Sequence, residues 1–426
     1  MKHNPRWRPF MGVAALATAG ALALSACSGS GSNGDPSSSG EAPGGEDVTL
    51  TVWHYYNTDG QVATLEKMAD AFEAAHPGVS VEYEYIPVDQ MTTKAVTAAG
   101  AKTGPDVLVF GASGTYDLSQ SGAIEPMDWF DSFADAGQFP DGAKQYVDGT
   151  LYGVQGFVNL LGLWYNQDLM TELGIAAPPT TMDELEADMA KAVAAGKEGI
   201  TLTGKPGLES QWQGFPWFTS NGFSYGDAQA APMAKTYAQL QSWVDKGYLS
   251  KEATTWDQTI PFQEFAAGNA LFAVNGNWQI AAAQEASFSY GVSLLPLTSD
   301  GGILLGGEVQ NIGAFSEHKD LAEQYLEETF FSTAGQLDLL SGFGAIPTRA
   351  DAAADSAISS DPILSVFADI VQKQGRPSPS PQVPSKNVNA VETLMGDYWS
   401  KAIAKSGSPD QLADELMTQL TPLLQK

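Results

Sequence analysis

The hydrophobic and polar positions of this chain predict strands and helices in alternation. Apolar and β-branched residues at 48–53 predict a strand, and apolar residues then recur at steps of three and four over 62–72, which is typical of an amphipathic helix that ends at His76-Pro77-Gly78. Alternation over 79–85 predicts a second strand, and residues 105–110 predict a buried third strand, with an alanine-rich helix between them. This order indicates a mostly parallel α/β sheet.

The same kind of pattern restarts after Gly149 and predicts a second set of elements. The predicted strands lie at 151–158, 160–165, 270–274 and 291–295, and the predicted helices at 182–195, 232–246, 261–267, 321–331 and 334–340. A last helix begins at Ser408-Pro409, an N-cap followed by proline, and carries Leu412, Leu416, Leu420 and Leu423 on one face. Residues 377–384 are predicted to form a Pro/Ser-rich surface loop.

The N-terminus has the pattern of an export signal. Three cationic residues precede an apolar run at 10–24, which is too short to span a bilayer and ends in Leu24-Ser25-Ala26-Cys27. This string resembles a bacterial lipoprotein signal, in which cleavage makes Cys27, the only cysteine of the chain, the lipid-bearing first residue. We therefore expect a signal peptide at 1–26 and a lipid-anchored protein on the extracytoplasmic side of the cell membrane. The alternative is an ordinary secretory signal with a free thiol.

Composition bounds the rest of the chain. Residues 27–47 are rich in Gly, Ser and Pro, which predicts a flexible linker, and residues 48–426 are too many for one core, which predicts two domains. The formal net charge of −29 argues against a nucleic-acid partner and suits a neutral or cationic ligand. The sequence has no H-E-x-x-H, cysteine pair or G-x-S-x-G motif, so no metal, cofactor or nucleophile is predicted. A glycosidase needs only two carboxylates, so that class stays open.

Several segments, in order, resemble the extracellular solute-binding proteins of carbohydrate ABC importers, the group that includes maltose-binding protein. They are Leu50-Thr51-Val52-Trp53, Ala71-Phe72-Glu73-Ala74-Ala75-His76-Pro77-Gly78, Gly104-Pro105-Asp106-Val107, Tyr165-Asn166-Gln167-Asp168-Leu169, Phe265-Ala266-Ala267-Gly268-Asn269-Ala270, Val274-Asn275-Gly276-Asn277-Trp278, Gly291-Val292-Ser293-Leu294-Leu295-Pro296 and Gly344-Ala345-Ile346-Pro347. No single string is specific, but their order and spacing extend over nearly all of residues 48–426.

The resemblance implies a two-lobed α/β fold of the periplasmic-binding-protein type, with discontinuous lobes and a cleft between them. We expect an N-terminal lobe at 48–157 plus 308–350 and a C-terminal lobe at 158–307 plus 351–426. It further implies a monomeric receptor, not an enzyme, that captures an extracellular oligosaccharide and delivers it to the permease subunits of an ABC importer. The alternatives are a surface glycoside hydrolase or lyase, and the same fold with a peptide, polyamine or metal as cargo.

Sugar binding needs flat aromatic faces for the C–H face of a pyranose and polar groups for its hydroxyls. Aromatic residues cluster between Trp212 and Tyr225, including Trp217, in a stretch without a clear period. By resemblance, Trp278 stacks on sugar and Trp212 takes the place of a stacking tyrosine. Resemblance also places Asn159, Phe110, Ser113, Tyr55 and Asn57 in the cleft.

The chain departs from the maltodextrin pattern at charged positions. The maltodextrin-binding member of the family has charged groups at the positions of Asn159, Ser113 and Asn57, so maltodextrin as the ligand is in doubt. Glu308 and Gln310 are candidates to bind the sugar hydroxyls instead. The paucity of carboxylates at these matched positions argues against a polyamine.

Overall fold

The computed structural model describes residues 47–425. The predicted signal peptide, the lipid site at Cys27 and all but the last residue of the predicted linker lie outside these residues. The strands are β1 (Val48–His54), β2 (Val79–Tyr85), β3 (Val107–Gly111), β4 (Lys144–Val147), β5 (Thr150–Gln155), β6 (Phe157–Val158), β7 (Leu161–Asn166), β8 (Glu198–Thr201), β9 (Ala270–Gly276), β10 (Tyr290–Ser293), β11 (Ile303–Leu305), β12 (Glu308–Ile312), β13 (Ile346–Pro347) and β14 (Gly375–Pro377).

The helices account for most of the remaining described chain, together with short 3₁₀ turns such as Ala112–Gly114. They are α1 (Asp59–Ala75), α2 (Val88–Gly100), α3 (Thr115–Gln120), α4 (Gln167–Glu172), α5 (Met182–Ala194), α6 (Leu208–Ser220), α7 (Ala230–Asp245), α8 (Ile260–Ala266), α9 (Ile280–Ala283), α10 (Lys319–Glu328), α11 (Thr333–Phe343), α12 (Ala350–Ala353), α13 (Ser356–Ser360), α14 (Leu364–Gln374), α15 (Val388–Ile403) and α16 (Pro409–Leu424).

The strands form two main sheets. The first sheet has the order β2-β1-β3-β12-β5-β4, in which β1 runs parallel to β2 and β3 while β12 lies antiparallel to both β3 and β5. The second sheet has the order β10-β7-β9-β8, and only its β8–β9 pair is parallel. The parallel arrangement expected from residues 48–110 is confirmed for β1, β2 and β3, but the sheet as a whole is mixed. β12, which returns from the other sheet, runs antiparallel to β3 and β5, and the β4–β5 pair is antiparallel as well.

The first sheet is covered on both faces, and β3 demonstrates it. Val107 and Val109 belong to one buried cluster and Leu108 and Phe110 to another, because successive side chains of a strand point to opposite faces. A strand that is buried on both sides has a continuous apolar sequence instead of an alternating one. Phe110 is fully buried as a consequence, in the cluster that also contains Trp53.

The aromatic stretch after residue 211 has no clear period in the sequence, yet most of it forms helix α6. Nearly every side chain from Gln211 to Phe218 is buried, and the Trp217 indole packs edge-to-face on that of Trp243 with 5.3 Å between ring centroids. A helix that is surrounded by other elements has no polar face, so it lacks the amphipathic period on which sequence prediction depends. Trp217 thus packs in the core.

Two helix starts follow their sequence signals. The Thr58 side chain accepts a hydrogen bond from the Gln61 amide at the start of α1, and the Gln61 side-chain oxygen accepts one from the Thr58 amide, which completes a capping box. At α16, the Ser408 hydroxyl accepts from the Gln411 amide at 3.2 Å and Pro409 follows, as predicted. Within residues 47–425, we find no helix whose length and hydropathy would suit a bilayer-spanning segment.

The leucine face of α16 anchors the end of the chain. Leu412, Leu416 and Leu420 are buried in the large core cluster around the second sheet, and Leu423 is only partly buried. We predict that Leu416→Ala lowers the free energy of unfolding by about 2–5 kcal/mol, because it leaves a cavity in that core. Urea unfolding measures it. Leu423→Ala is the matched control and should cost clearly less; equal losses would contradict the burial argument.

Candidate functional site

The chain passes between the two sheets at three places, and the three passages are hydrogen-bonded side by side. β6, which follows the first sheet, pairs with β13. The Asn159 amide donates to the Gly306 carbonyl at 2.7 Å, and the Gly306 amide donates back at 3.0 Å. The passages at 157–159, 306–307 and 346–347 therefore form one narrow connection between the sheets.

The Asn277 side chain holds this connection together. Its Nδ2 donates to Asn159 Oδ1 at 2.9 Å and to the Gly344 carbonyl at 2.8 Å, and its Oδ1 accepts from the Leu160 amide at 2.8 Å. Asn277 is fully buried. A buried amide whose groups are all paired fixes the relative positions of the segments that it joins.

A cavity of about 280 Å³ opens above this connection, and residues that follow strands of both sheets line it. On the first-sheet side lie Tyr55 and Asn57 after β1 and Ser113 after β3. On the other side lie Trp212 in α6 and Trp278 after β9, while Asn159 and Glu308 lie at the crossings. Seven of the predicted binding residues thus meet in one cleft.

Two indole rings line the cleft together with Tyr55, Tyr56 and Tyr85, and each indole lies directly over a glycine. A Cβ at Gly276 would overlap the Trp278 ring, and a Cβ at Gly306 would overlap the ring of Trp212. Both tryptophans are half-buried and line the cavity. The Trp212 indole Nε1 is buried without a hydrogen-bond partner. Because glycine has no Cβ, both rings can approach the backbone this closely.

Carboxylates make up much of the polar lining. Asp89, Glu209, Asp257, Glu308 and Glu392 line the cavity, against the single cation Lys205. Lys205 Nζ lies 3.8 Å from Asp89 Oδ2, and both side chains are about half exposed. The argument against a polyamine counted the matched loop positions alone, and these carboxylates lie outside those positions.

Burial governs the protonation of the two most enclosed carboxyls. Glu308 is 8% exposed, and burial raises its pKa to about 7, although the neighbouring Tyr55 hydroxyl opposes the shift; the Asn159 Nδ2 donates to Glu308 Oε2 at 3.2 Å. Glu392 is 9% exposed, and burial raises its pKa to about 7 against the effect of the Ser113 hydroxyl. Within residues 47–425, no Lys, Arg or His forms an ion pair with either carboxylate.

Three predicted site residues lie elsewhere. Phe110 and Trp217 are core residues, as described above, and neither lines the cavity. Gln310 is fully buried, with its Oε1 accepting from the Gly156 amide at 2.8 Å and its Nε2 donating to the Glu308 carbonyl at 2.8 Å. Gln310 therefore braces the crossing next to the cleft. It shares a sheet face with Glu308, two residues earlier on β12, but lies further along the strand and does not line the cavity.

Glu392 is the most informative residue that the sequence analysis missed. It lies on α15 among Val388, Val391 and Met395, all of which are buried. An acidic residue within an otherwise apolar helix face was the available signal, since buried carboxylates are rare without a partner. Other lining residues that it missed are Asp89, Lys205, Glu209, Gln211, Asp257, Gln258, Gln279 and Ser378. Among the described residues, no cluster of His, Cys, Asp and Glu has metal-binding geometry.

The fold and the cleft define a class: two α/β lobes that enclose a binding site over a shared connection. The sequence model described as bacterial extracellular solute-binding protein matches residues 67–366. The chain belongs to the bacterial extracellular solute-binding protein family.

Three individual proteins are similar to this chain, each at less than 30% identity. The galactooligosaccharide-binding protein of Bacillus subtilis is 26% identical over 419 residues, which cover 94% of each chain. The maltooligosaccharide ABC transporter solute-binding lipoprotein of Streptococcus pneumoniae is 25% identical over 306 residues, 68% of each chain. The GacH receptor of Streptomyces glaucescens, solved unliganded and with acarbose, superposes with a TM-score of 0.79 at 22% identity and covers 89% of this chain and 98% of its own. The superposition with the GacH receptor establishes the fold, which resembles that of maltose-binding protein.

We predict that Asn277→Ala lowers the free energy of unfolding by about 2–4 kcal/mol, because three buried groups lose their hydrogen-bond partner. Urea unfolding measures the loss. Asn269→Ala is the matched control, since Asn269 is exposed and its side chain makes one hydrogen bond, to Glu264. Similar values for the two variants would contradict the bracing role of Asn277.

We also predict that the free energy of unfolding falls as the pH rises from 5 to 8. With a folded pKa of about 7, Glu308 and Glu392 bind more protons in the native state than in the unfolded chain, where a glutamate titrates near 4.3. The stability that they contribute is complete below the unfolded pKa and is lost as the pH rises through about 7. Combining Glu308→Gln with Glu392→Gln should reduce this fall by more than about 1 kcal/mol. Exposed Glu66→Gln is the control and should keep the wild-type slope in urea unfolding at each pH.

Proposed function

We propose that this protein is the substrate-binding lipoprotein of an ABC importer, which captures an extracellular oligosaccharide in its cleft and delivers it to the membrane permease. The observation that carries the proposal is the pair of half-buried indole rings of Trp212 and Trp278, which face one cavity beside buried hydroxyl, amide and carboxyl groups. Flat apolar rings together with polar groups match the two kinds of surface on a pyranose.

The relatives support the class of cargo and the location. Their names include a galactooligosaccharide-binding protein and a maltooligosaccharide ABC transporter lipoprotein. The string that ends at Cys27 supports a lipid anchor, which would tether a monomeric body to the extracytoplasmic face of the membrane. Under this proposal the protein binds its ligand without changing it.

Capture would involve closure of the lobes over the ligand. Tyr55, Asn57 and Ser113 would contact the sugar from the N-terminal lobe, and Trp212 and Trp278 from the C-terminal lobe, with lobe boundaries at 48–157 plus 308–350 and 158–307 plus 351–426. A ligand favours the closed form by as much as it contacts both lobes there. The permease would recognise that closed form.

A surface hydrolase or lyase is the competing function. Buried carboxyl groups in the cleft are what such an enzyme would need. Incubation of the protein with neutral oligosaccharides and chromatography of the mixture distinguish the two functions. A receptor returns the sugars uncut, whereas shortened products would overturn the proposal.

The role of Trp278 generates a direct prediction. We expect Trp278→Ala to weaken binding of the saccharide at least about tenfold, because the stacking face is lost. The ligand would first be identified by a thermal-shift screen of mono- and oligosaccharides, and affinity then measured by calorimetry. Tyr146→Ala, at an exposed position on β4 outside the cleft, should bind as the wild type does. Unchanged affinity in a folded Trp278→Ala variant would refute the stacking role.

A further inference from the structure

The cleft contains more buried negative charge than a neutral ligand requires. Glu308 and Glu392 enter it from different elements, β12 and α15. Glu308 lies opposite Gly111 in the strand register, and a Cβ at Gly111 would lie 3.8 Å from the Ser113 hydroxyl and 3.9 Å from that of Tyr55. Because Ser113 also neighbours Glu392, both carboxyls border the same short stretch, residues 111–113.

Among residues 47–425, neither carboxylate has a cation to balance it. Lys205, the only cation of the cavity lining, lies beside Asp89 instead. An ionised carboxylate that is taken out of water without a counter-charge costs several kcal/mol. Burial raises the pKa of each carboxyl to about 7. Part of the population is therefore protonated near neutral pH, which lowers the cost of burying these groups.

Other buried groups of the cleft also lack partners. Tyr56 is 3% exposed and lines the cavity, and its buried hydroxyl lies beside the Glu308 carboxyl without the geometry of a regular hydrogen bond. The Trp212 Nε1 is buried without a hydrogen-bond partner among the described residues. These unpaired groups, next to two carboxyls without a cation, indicate that a ligand completes the polar network.

We propose that the cleft selects an oligosaccharide that carries a free amino group, and that its ammonium is bound between Glu308 and Glu392. This inference rests on the proposed saccharide function and specifies the class of sugar. An ammonium supplies three donors and the missing positive charge, and charge-assisted hydrogen bonds are about twice as strong as neutral ones. The indoles of Trp212 and Trp278 suit such a ligand as well, because indole faces attract cations. The chain's net charge of −29 favours approach of a cation.

The test compares neutral and 2-amino-2-deoxy oligosaccharides that are matched in length and linkage, by calorimetry at pH 8 across several linkages, with the N-acetylated forms as a third set. The amino forms should bind at least about tenfold more tightly than their neutral and N-acetylated counterparts. Glu392→Gln should remove most of that advantage, measured as the ratio of the amino-form affinity to the neutral-form affinity. Exposed Glu66→Gln should keep the wild-type preference.

Proton exchange gives a readout that does not depend on a variant. Calorimetry near pH 6, where the ligand amine is already charged, in buffers of different ionisation enthalpy should detect proton release when the amino sugar binds, because its ammonium favours the ionised carboxylates. The groups that can contribute are those that face the two carboxyls or line the cleft: Tyr55, Tyr56, Tyr85, Asp89, Lys205, Glu209, Tyr225, Asp257 and the ligand amine. A neutral sugar, which buries the carboxyls further, should cause proton uptake.

The outcomes separate this inference from the function on which it rests. Equal or tighter binding of neutral or N-acetylated sugars, with proton uptake, would overturn the amino-sugar specificity and leave the oligosaccharide receptor standing. Binding of a polyamine such as spermidine with no binding of any saccharide would overturn both.

Discussion

The hydrogen bonds of the Asn277 side chain are the constraint on which the rest of the structure depends. They fix the passages that join the two sheets, and the cleft is the space above those passages. Because Asn159 is bonded to Asn277 and also to Glu308, the connection continues into the polar floor of the cavity. Any change in the angle between the lobes therefore acts on the groups that would contact a ligand.

The cleft combines two requirements that oppose each other. Aromatic faces need to be kept partly free of water, and hydroxyl-binding groups lose hydration when they are enclosed with them. Here the second cost is large because carboxyls are enclosed. Among residues 47–425, the lysine of the cavity lining lies beside Asp89, and no cation pairs with Glu308 or Glu392. Under the proposed function, a ligand that contacts these groups would lower this cost in the occupied state.

The sequence predicted most elements of the fold because their periods are plain. Strand β2 and helices α1 and α16 each face water on one side only. The resulting alternation of apolar and polar residues is what a hydrophobic pattern detects. Helix α6 escaped prediction because it is buried all round and has no such contrast. The direction of β12 also escaped, since it depends on the return of the chain from the other sheet and not on local residues.

The candidate site was predictable only in part for a related reason. Residues that follow strand ends, such as Tyr55, Ser113 and Trp278, were found from position and resemblance. Phe110 failed because its position in a strand that is covered on both faces turns it into the core. Glu392 was missed because α15 is remote in sequence from the matched loops and reaches the cleft only through tertiary packing.

Gly276 and Gly306 permit the positions of the two indoles because neither residue has a Cβ. Neither glycine has a side chain with which to touch a solute, yet a single added methyl group at either position would tilt an aromatic platform. The recognition properties of this scaffold can therefore be retuned from beneath the rings, and a comparison of homologues that considered only contacting side chains would overlook the positions that control the platform angle.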